Sequence, residues 1–311
     1  MSAKYFNIRN YDDSVEFSTL LELYNKLSKH LNPAAIIYTE EYASIIQSSN
    51  PDLQQNSLIF ESEQNEIIGF ASIMQLPFFK DERFVIYGIE PEYLNSELPG
   101  VLIEAILNLG KKNNIIELYI QTTGELSASF DNKLEELGFK PIQYYFTMFL
   151  DNYDLFTHPE IPKGILIISK EEFEDINSIV SVLNEAFKDS FLWVKLRPRK
   201  WKKSIEAIKK NHIMEYAIAY DDNKVVGFCN SYFNPDQELI GTINPLGVLP
   251  SYHRRGIGSS LFASRVEFLR DNGCKTINIF VDAKNERALK LYEKFGFYQK
   301  KNLTEKTYRL I

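Results

Sequence analysis

The sequence predicts an α+β protein made of two tandem copies of one unit, each a mixed, mostly antiparallel sheet flanked by helices. Three observations carry this expectation. Short segments recur in the same order at a nearly constant offset. Residues 65–70 (NEIIGF) and 223–228 (NKVVGF) lie 158 apart, 88–93 (GIEPEY) and 247–252 (GVLPSY) 159 apart, and 137–139 (LGF) and 295–297 (FGF) 158 apart. Apolar strand patterns are interleaved with helices and hairpins rather than alternating strictly, which argues against a doubly wound sheet. The chain of 311 residues also has room for two domains of ordinary size.

Each copy reads the same way in order. A short strand opens it, at 4–10 in the first copy and 164–169 in the second. An amphipathic helix follows; in the second copy Phe173, Ile176, Ile179, Val180, Leu183 and Phe187 recur at helical spacing. A second helix is expected near 40–48 and 201–210. Next comes a hairpin, with strands 215–220 and 225–233 around the polar turn Asp221-Asp222-Asn223-Lys224. A further strand reaches Val248. A helix then runs from about Gly256 to Asp271, where Asn272-Gly273 ends it. Alternating Ile277, Ile279 and Val281 predict a strand, 285–295 a helix, and a last pair of strands closes the copy. The linker at 151–163 (DNYDLFTHPEIPK) has two prolines and no periodicity, so the expected domains are 1–152 and 163–311.

Composition narrows the function classes. Apolar residues make up 44% and aromatics 14%, which excludes a disordered chain. No apolar run approaches the ~18 residues of a membrane span, and the N-terminus lacks a signal-peptide core. The only cysteines, Cys229 and Cys274, imply no disulfide framework, so a cytoplasmic setting is expected. The net charge of -7 is uneven: residues 1–155 carry 10 Lys+Arg and 23 Asp+Glu, residues 156–311 carry 25 and 19. One half repels anions and the other attracts them. The basic excess is modest and mixed with acid, so neither nucleic acid nor a membrane is an expected partner.

Residues 248–262, VLPSYHRRGIGSSLF, place two arginines and two glycines between an apolar strand and a helix. A helix N-terminus offers unpaired N–H groups and a partial positive charge, and glycines let an anion approach them. The chemistry this suits is a diphosphate. It is not a Walker loop, because GxxxxGK[ST] is absent, and it is not a dinucleotide fingerprint, because no third small residue follows at the required place. An ordinary strand-to-helix turn is the alternative.

The run P-x-x-x-R-R-G-I-G from Pro250 resembles motif A of the GNAT acyltransferase superfamily, Q/R-x-x-G-x-G/A, with His253 at the Gln/Arg position. Residues 285–297, NERALKLYEKFGF, resemble its motif B, N-x-x-A-x-x-L-Y-x-x-x-G-F, and the 27-residue gap from Gly258 to Asn285 fits one helix and one strand. The likeness covers 164–311 directly and the first copy only through the repeat. It implies two tandem GNAT-like domains, with acetyl-CoA as co-substrate in a gap beside the strand ending at Val248, and no metal. Backbone groups of Leu246, Gly247 and Val248 would bind the pantetheine. Those of Arg254, Arg255, Gly256, Ile257, Gly258 and Ser259 would bind the pyrophosphate. Asn285 would contact the cofactor, and Tyr292 would protonate the departing thiolate.

Tyr292 suits that role chemically, since tyrosine (pKa about 10) stays protonated at neutral pH beside a thiol of about 8.5. It also shares a helical face with Ala288 and Phe295, so core packing is its other reading. Neutralising an alkylammonium near pH 7 costs about 4–5 kcal/mol, so a base or a desolvating pocket is needed. Positions where relatives carry a carboxylate hold Phe280 and Asn244 here; Glu238 is the expected substitute, with Asp282 as a second option.

In the first copy Glu97 stands opposite Gly256, Pro99 opposite Gly258, Asn95 and Ser96 opposite the arginines, Leu134 opposite Tyr292 and Ser127 opposite Asn285. The framework residues Gly88, Pro91, Gly138 and Phe139 remain. This copy is therefore expected to fold without binding CoA, an arrangement similar to tandem family members with one degenerate half. Residues 195–210 carry eight Lys+Arg beside Phe191, Trp193 and Trp201, which suits either an acceptor-site wall or a solvated helix over a core.

The functional expectation is acetyl transfer from acetyl-CoA to a primary amine, small-molecule or peptide, by direct attack. The alternative is a non-catalytic acyl-CoA-binding regulatory module. A third reading, tRNA-dependent aminoacyl transfer, is opposed by the intact glycine loop. The acceptor and a homodimer both stay open.

Overall fold

The structure, a computed structural model, describes residues 6–32, 35, 38–76, 82–115, 117–124, 127–172, 175–236 and 239–310. The chain divides into two compact units, Met1–Tyr145 with Lys301–Ile311, and Phe146–Lys300.

The first unit runs β1 (Asn7–Asn10), α1 (Phe17–Leu31), α2 (Glu40–Ser49), β2 (Ser57–Glu61), β3 (Ile67–Met74), β4 (Phe84–Ile89), α3 (Leu98–Lys112), β5 (Tyr119–Thr123), α4 (Ser127–Glu136) and the start of β6 (Phe139–Leu150). The second takes the end of β6. It continues with β7 (Ile165–Lys170), α5 (Ile176–Phe187), α6 (Pro198–Lys209), β8 (Ile213–Asp221), β9 (Lys224–Phe233), β10 (Ile240–Val248), α7 (Ile257–Asp271), β11 (Thr276–Asp282), α8 (Glu286–Lys294) and the start of β12 (Tyr298–Leu310).

The sheet order is β1-β2-β3-β4-β5-β12-β6 in the first unit and β6-β11-β10-β9-β8-β7 in the second. All paired ladders with described register are antiparallel except β4 with β5 and β10 with β11. The sheet is thus mixed and mostly antiparallel, as the sequence predicts.

Local chemistry explains the helices. Asp175 caps α5 by accepting the Ser178 N–H at 3.0 Å, and Ile179, Val180, Val182 and Leu183 form its buried stripe. Phe173, placed in this helix by periodicity, lies outside the described residues. α3 and α7 are fifteen residues each and start 159 apart, the offset of the repeat. In the second unit one core lies under α7 and α8 and includes Val248, Phe262, Ile279 and Tyr292. The other lies under α5 and α6 and includes Leu183, Trp201, Tyr216 and Phe228. Fully burying such a side chain contributes about 1.5–3 kcal/mol.

Gly88 and Gly247, equivalent in the repeat, share a packing reason. A Cβ on Gly88 would come within 3.0 Å of the Leu23 side chain on α1. One on Gly247 would lie 3.2 Å from Leu183 and 3.3 Å from Ala186 on α5. Glycine lets the first helix of each unit sit directly on its central strand.

The ends of the copies depart from the sequence reading. Each closes with one long strand, twelve residues in β6 and thirteen in β12, where a pair was expected. β12 returns to the first unit, where Glu305–Arg309 pair antiparallel with Thr123–Tyr119 of β5. An open sheet edge accepts any strand of suitable alternation, so hydrophobic pattern does not say which edge a strand closes.

Candidate active site

β10 is the centre of the second unit. It pairs with β9 from Gly241↔Phe233 to Val248↔Gly227, with a register shift between Ile243 and Leu246 where one extra residue bulges out. The Asn230 Nδ2 donates to the Asn244 carbonyl at 3.1 Å and ties the bulge to β9. On its other side β10 pairs with β11 only at Ile240, Gly241 and Thr242. There Asn278 Nδ2 donates to the Gly241 carbonyl at 3.3 Å and to Thr242 Oγ1 at 3.1 Å, clasping the vertex. Beyond Thr242 the two strands separate. The backbone of Leu246, Gly247 and Val248 that faces β11 therefore has no ladder partner there, and such groups need acceptors and donors from elsewhere.

The opening leads to the glycine loop. The His253 Nε2 lies 2.9 Å from the Val248 carbonyl, fastening the loop to the strand end. Arg254 and Gly256 have positive φ, 60° and 87°, and α7 begins at Ile257. Gly256 caps the helix in the left-handed region, where a side chain is strained. Gly258 has ordinary backbone. A Cβ there would meet nothing nearer than Val248 Cγ2 at 3.8 Å, so there is room beside its backbone. The first N–H groups of α7, from Ile257, Gly258 and Ser259, have no acceptor within the helix. Together they make a cradle of N–H donors of the kind that holds an anion. Arg254 and Arg255 are exposed beside it, with the Arg255 guanidinium 4.8 Å from the Tyr252 ring.

Tyr292, on α8, packs into the core that includes Val248 and Phe262. It is 8% exposed, and its ring centroid lies 4.9 Å from Phe262 and 6.2 Å from Phe297. Burial, and then the neighbouring Cys229, push its phenol well above the usual tyrosine range. Burial also pushes the Cys229 thiol up to about 12, against the pull of Arg265. Asn285 caps α8: its Oδ1 accepts the Ala288 N–H at 3.1 Å, and the residue is exposed. The Asp282 Oδ1 is occupied by the Lys284 N–H at 2.8 Å. Asn244 and Phe280 are exposed at the positions named above, and Glu238 lies outside the described residues.

One contact was not legible in the sequence. The Asn184 side chain clamps the loop after α5, donating to the Leu196 carbonyl at 3.0 Å and accepting its N–H at 2.7 Å. Asn25 does the same to Tyr38 in the first unit, at 2.8 and 3.0 Å. The offsets, 159 and 158, are those of the repeat, and the two pairs would have served as a further anchor. Within the clamped loop Trp193 stacks on Phe187 at 5.0 Å, whereas Trp201 is core, edge-on to Phe228 at 5.7 Å. Lys195, Arg197, Arg199, Lys200, Lys202, Lys203 and Lys210 are exposed.

Among the described residues no group of three or more His, Cys, Asp or Glu is placed to hold a metal, and no helix is long and apolar enough to cross a membrane.

Comparison with known proteins agrees with this geometry. Residues 178–297 match the Acetyltransferase (GNAT) family. A mycothiol acetyltransferase of Acidimicrobium ferrooxidans is 32% identical over 84 residues, 26% of this chain and 27% of its own length. One of Thermomonospora curvata is 28% identical over 143 residues, 44% and 45%. An uncharacterized N-acetyltransferase of Methanocaldococcus jannaschii is 23% identical over 137 residues, 43% and 59%. The chain thus matches less than two thirds of each relative. Among solved structures, a GCN5-related N-acetyltransferase from Sphaerobacter thermophilus shares the fold with a TM-score of 0.69 at 18% identity, covering 98% of this chain and 95% of that one. A tandem GNAT protein from the clavulanic acid biosynthesis pathway does so at 0.71 and 12%, covering 98% of both.

Proposed function

We propose that this chain is a tandem member of the GNAT superfamily and moves an acetyl group from acetyl-CoA to a primary amine in its second unit. One observation carries the reading: the opening between β10 and β11 runs into the glycine cradle at the start of α7. Leu246, Gly247 and Val248 are proposed to bind the amides of the pantetheine arm through those backbone groups that β9 and His253 leave unengaged. The N–H groups from Arg254 to Ser259 bind the pyrophosphate. Asn285 is proposed to act through the helix it caps, whose N-terminus faces the same substrate.

The amine nitrogen attacks the thioester carbonyl carbon. The C–N bond forms, the C–S bond breaks, and the thiolate takes a proton from the Tyr292 hydroxyl. Burial favours this transfer: the environment that lifts Tyr292 also lifts a thiol, as Cys229 shows, so the leaving thiolate is itself a strong base there. The high pKa of Cys229 also makes it a poor nucleophile, which supports direct attack without an acyl-enzyme. The ammonium proton is assigned, through water, to Glu238. The amine relatives act on is not carried over from partial matches.

The first unit is proposed to bind no CoA. The second reading, a non-catalytic acyl-CoA-binding module, is favoured by one fact, the aromatic packing of Tyr292. Calorimetric titration of the full chain with acetyl-CoA tests the whole. One site per chain is expected. Two sites would overturn the reading of the first unit, and no binding would remove the enzyme reading altogether.

A further inference from the structure

The turn between β8 and β9 lies at the same end of the sheet as the glycine loop, because Gly227 pairs with Val248 and the Leu249 N–H donates to the Val226 carbonyl at 2.9 Å. Tyr252, in the short 3-10 turn Pro250–Tyr252, is the hub of this corner. Its hydroxyl is hydrogen-bonded to Asp221, which with burial raises its pKa. The Lys224 ammonium lies 5.4 Å from its ring and the Arg255 guanidinium 4.8 Å. Two cations thus share one aromatic ring at the edge of the cradle, both exposed, and neither forms an ion pair among the described residues. Asp221 and Asp222 are the acidic groups near that ring, and Asp221 is engaged by the tyrosine.

The repeat separates what the fold needs from what a ligand needs. The first copy keeps the ring, as Tyr93, but has Glu66 in place of Lys224 and Ser96 in place of Arg255. Both cations disappear together while the scaffold stays. Exposed cations without partners contribute little to stability. A phosphate monoester dianion is the ligand that two such cations, both resting against one ring, would recognise. CoA carries one on its ribose, beyond the pyrophosphate.

We propose that Lys224 and Arg255, both held against the Tyr252 ring, bind the 3′-phosphate of CoA, while the amides at the start of α7 bind the pyrophosphate. This rests on the second unit being a CoA site. It divides the loop's charges by task and adds Lys224, which belongs to neither motif.

The test is calorimetric binding of acetyl-CoA and of acetyl-3′-dephospho-CoA to the full chain, wild type and Lys224→Gln. The wild type is expected to prefer the 3′-phosphorylated form by about tenfold, as charge-assisted contacts to one dianion would give. Lys224→Gln should lose most of that preference while binding the dephospho form as the wild type does, and Lys224→Arg should restore it. A wild type that binds both forms equally, or a Lys224→Gln chain that keeps the full preference, would overturn the assignment and leave the CoA site standing. Failure of the wild type to bind either form would instead remove the CoA reading, and this one with it.

Discussion

In the second unit β10 parts from β11 after Thr242, and the opening leads to arginines, glycines and a free helix N-terminus. In the first, β4 parts from β5 after Val85, but Tyr87 bridges the gap, and the cavity of about 320 Å³ left at the start of α3 is lined by Ser96, Glu97, Pro99 and Phe130. The Tyr87 hydroxyl crosses the gap to donate to the Gln121 carbonyl at 3.0 Å, and the Tyr87 ring lies 5.3 Å from Phe130. β4 pairs with β3 from Met74↔Phe84 to Gly69↔Ile89 without the shift that marks β10. At the start of α3 the Leu98 N–H, equivalent to that of Ile257, is already taken by Ser96 Oγ at 3.1 Å. The two units share the strand separation and differ in the side chains at its mouth. A separation of strands is a property of the backbone plan, whereas an open cleft depends on a handful of side chains that can fill it.

The comparison can be broken most sharply by moving a first-copy residue into the second. Gly258→Pro introduces the counterpart of Pro99. Proline is tolerated in a first helical turn, so the melting temperature should hold while the cradle loses an N–H and its open space. Acetyl-CoA affinity should fall by about 100-fold or more in calorimetry; unchanged binding would mean the phosphates lie elsewhere.

Tyr292→Phe comes next. The ring contacts survive, so folding and acetyl-CoA binding should stay, but kcat should fall by about 100-fold if the hydroxyl is the acid. Full turnover in the variant would make Tyr292 a core residue like its first-copy counterpart Leu134.

The two asparagine clamps sharpen the contrast further. Asn25→Ala and Asn184→Ala should each cost about 1–2 kcal/mol in denaturant unfolding, since each removes two hydrogen bonds to backbone. Only Asn184→Ala should also raise the KM for the amine; equal kinetic effects would mean the first-unit loop shapes the acceptor site as well.

The smallest effect concerns Glu305 on β12 in the first unit. Burial raises its pKa from 4.5 to about 7. The folded chain therefore holds this proton more tightly than the unfolded one. Its contribution is fully present below pH 4.5 and is lost as pH rises through about 7. Glu305→Gln should raise stability at pH 8 by about 1 kcal/mol and leave it unchanged at pH 4. A flat difference across pH in thermal melts would contradict this.

Much of the site is legible in the chain because it is local. The glycine loop, the cap at Asn285 and the stripe holding Tyr292 each lie within a few turns of backbone, and their spacing shows in the order of residues. Asn285 caps α8 through its Oδ1 and is exposed, and a cap and a ligand contact call for the same residue type. Lys224 and Tyr252 are 28 residues apart in the sequence, and nothing in their spacing brings them to one ring.

The residue order already carries the duplication, the elements up to the closing strand of each copy, and the arginines and glycines at 254–258 that the first copy replaces with Asn95, Ser96, Glu97 and Pro99. These follow from short-range patterns: periodicity, turn chemistry and the N–H geometry of a helix start. The tertiary structure alone decided that β12 completes the first unit and that β6 ends in the second. It also decided that Tyr87 bridges from β4 to Gln121 on β5, and that Asn25 and Asn184 hold matching loops. Strand pairing and side-chain packing join residues far apart in the chain, and which partner wins is settled only when all edges and cavities are filled at once.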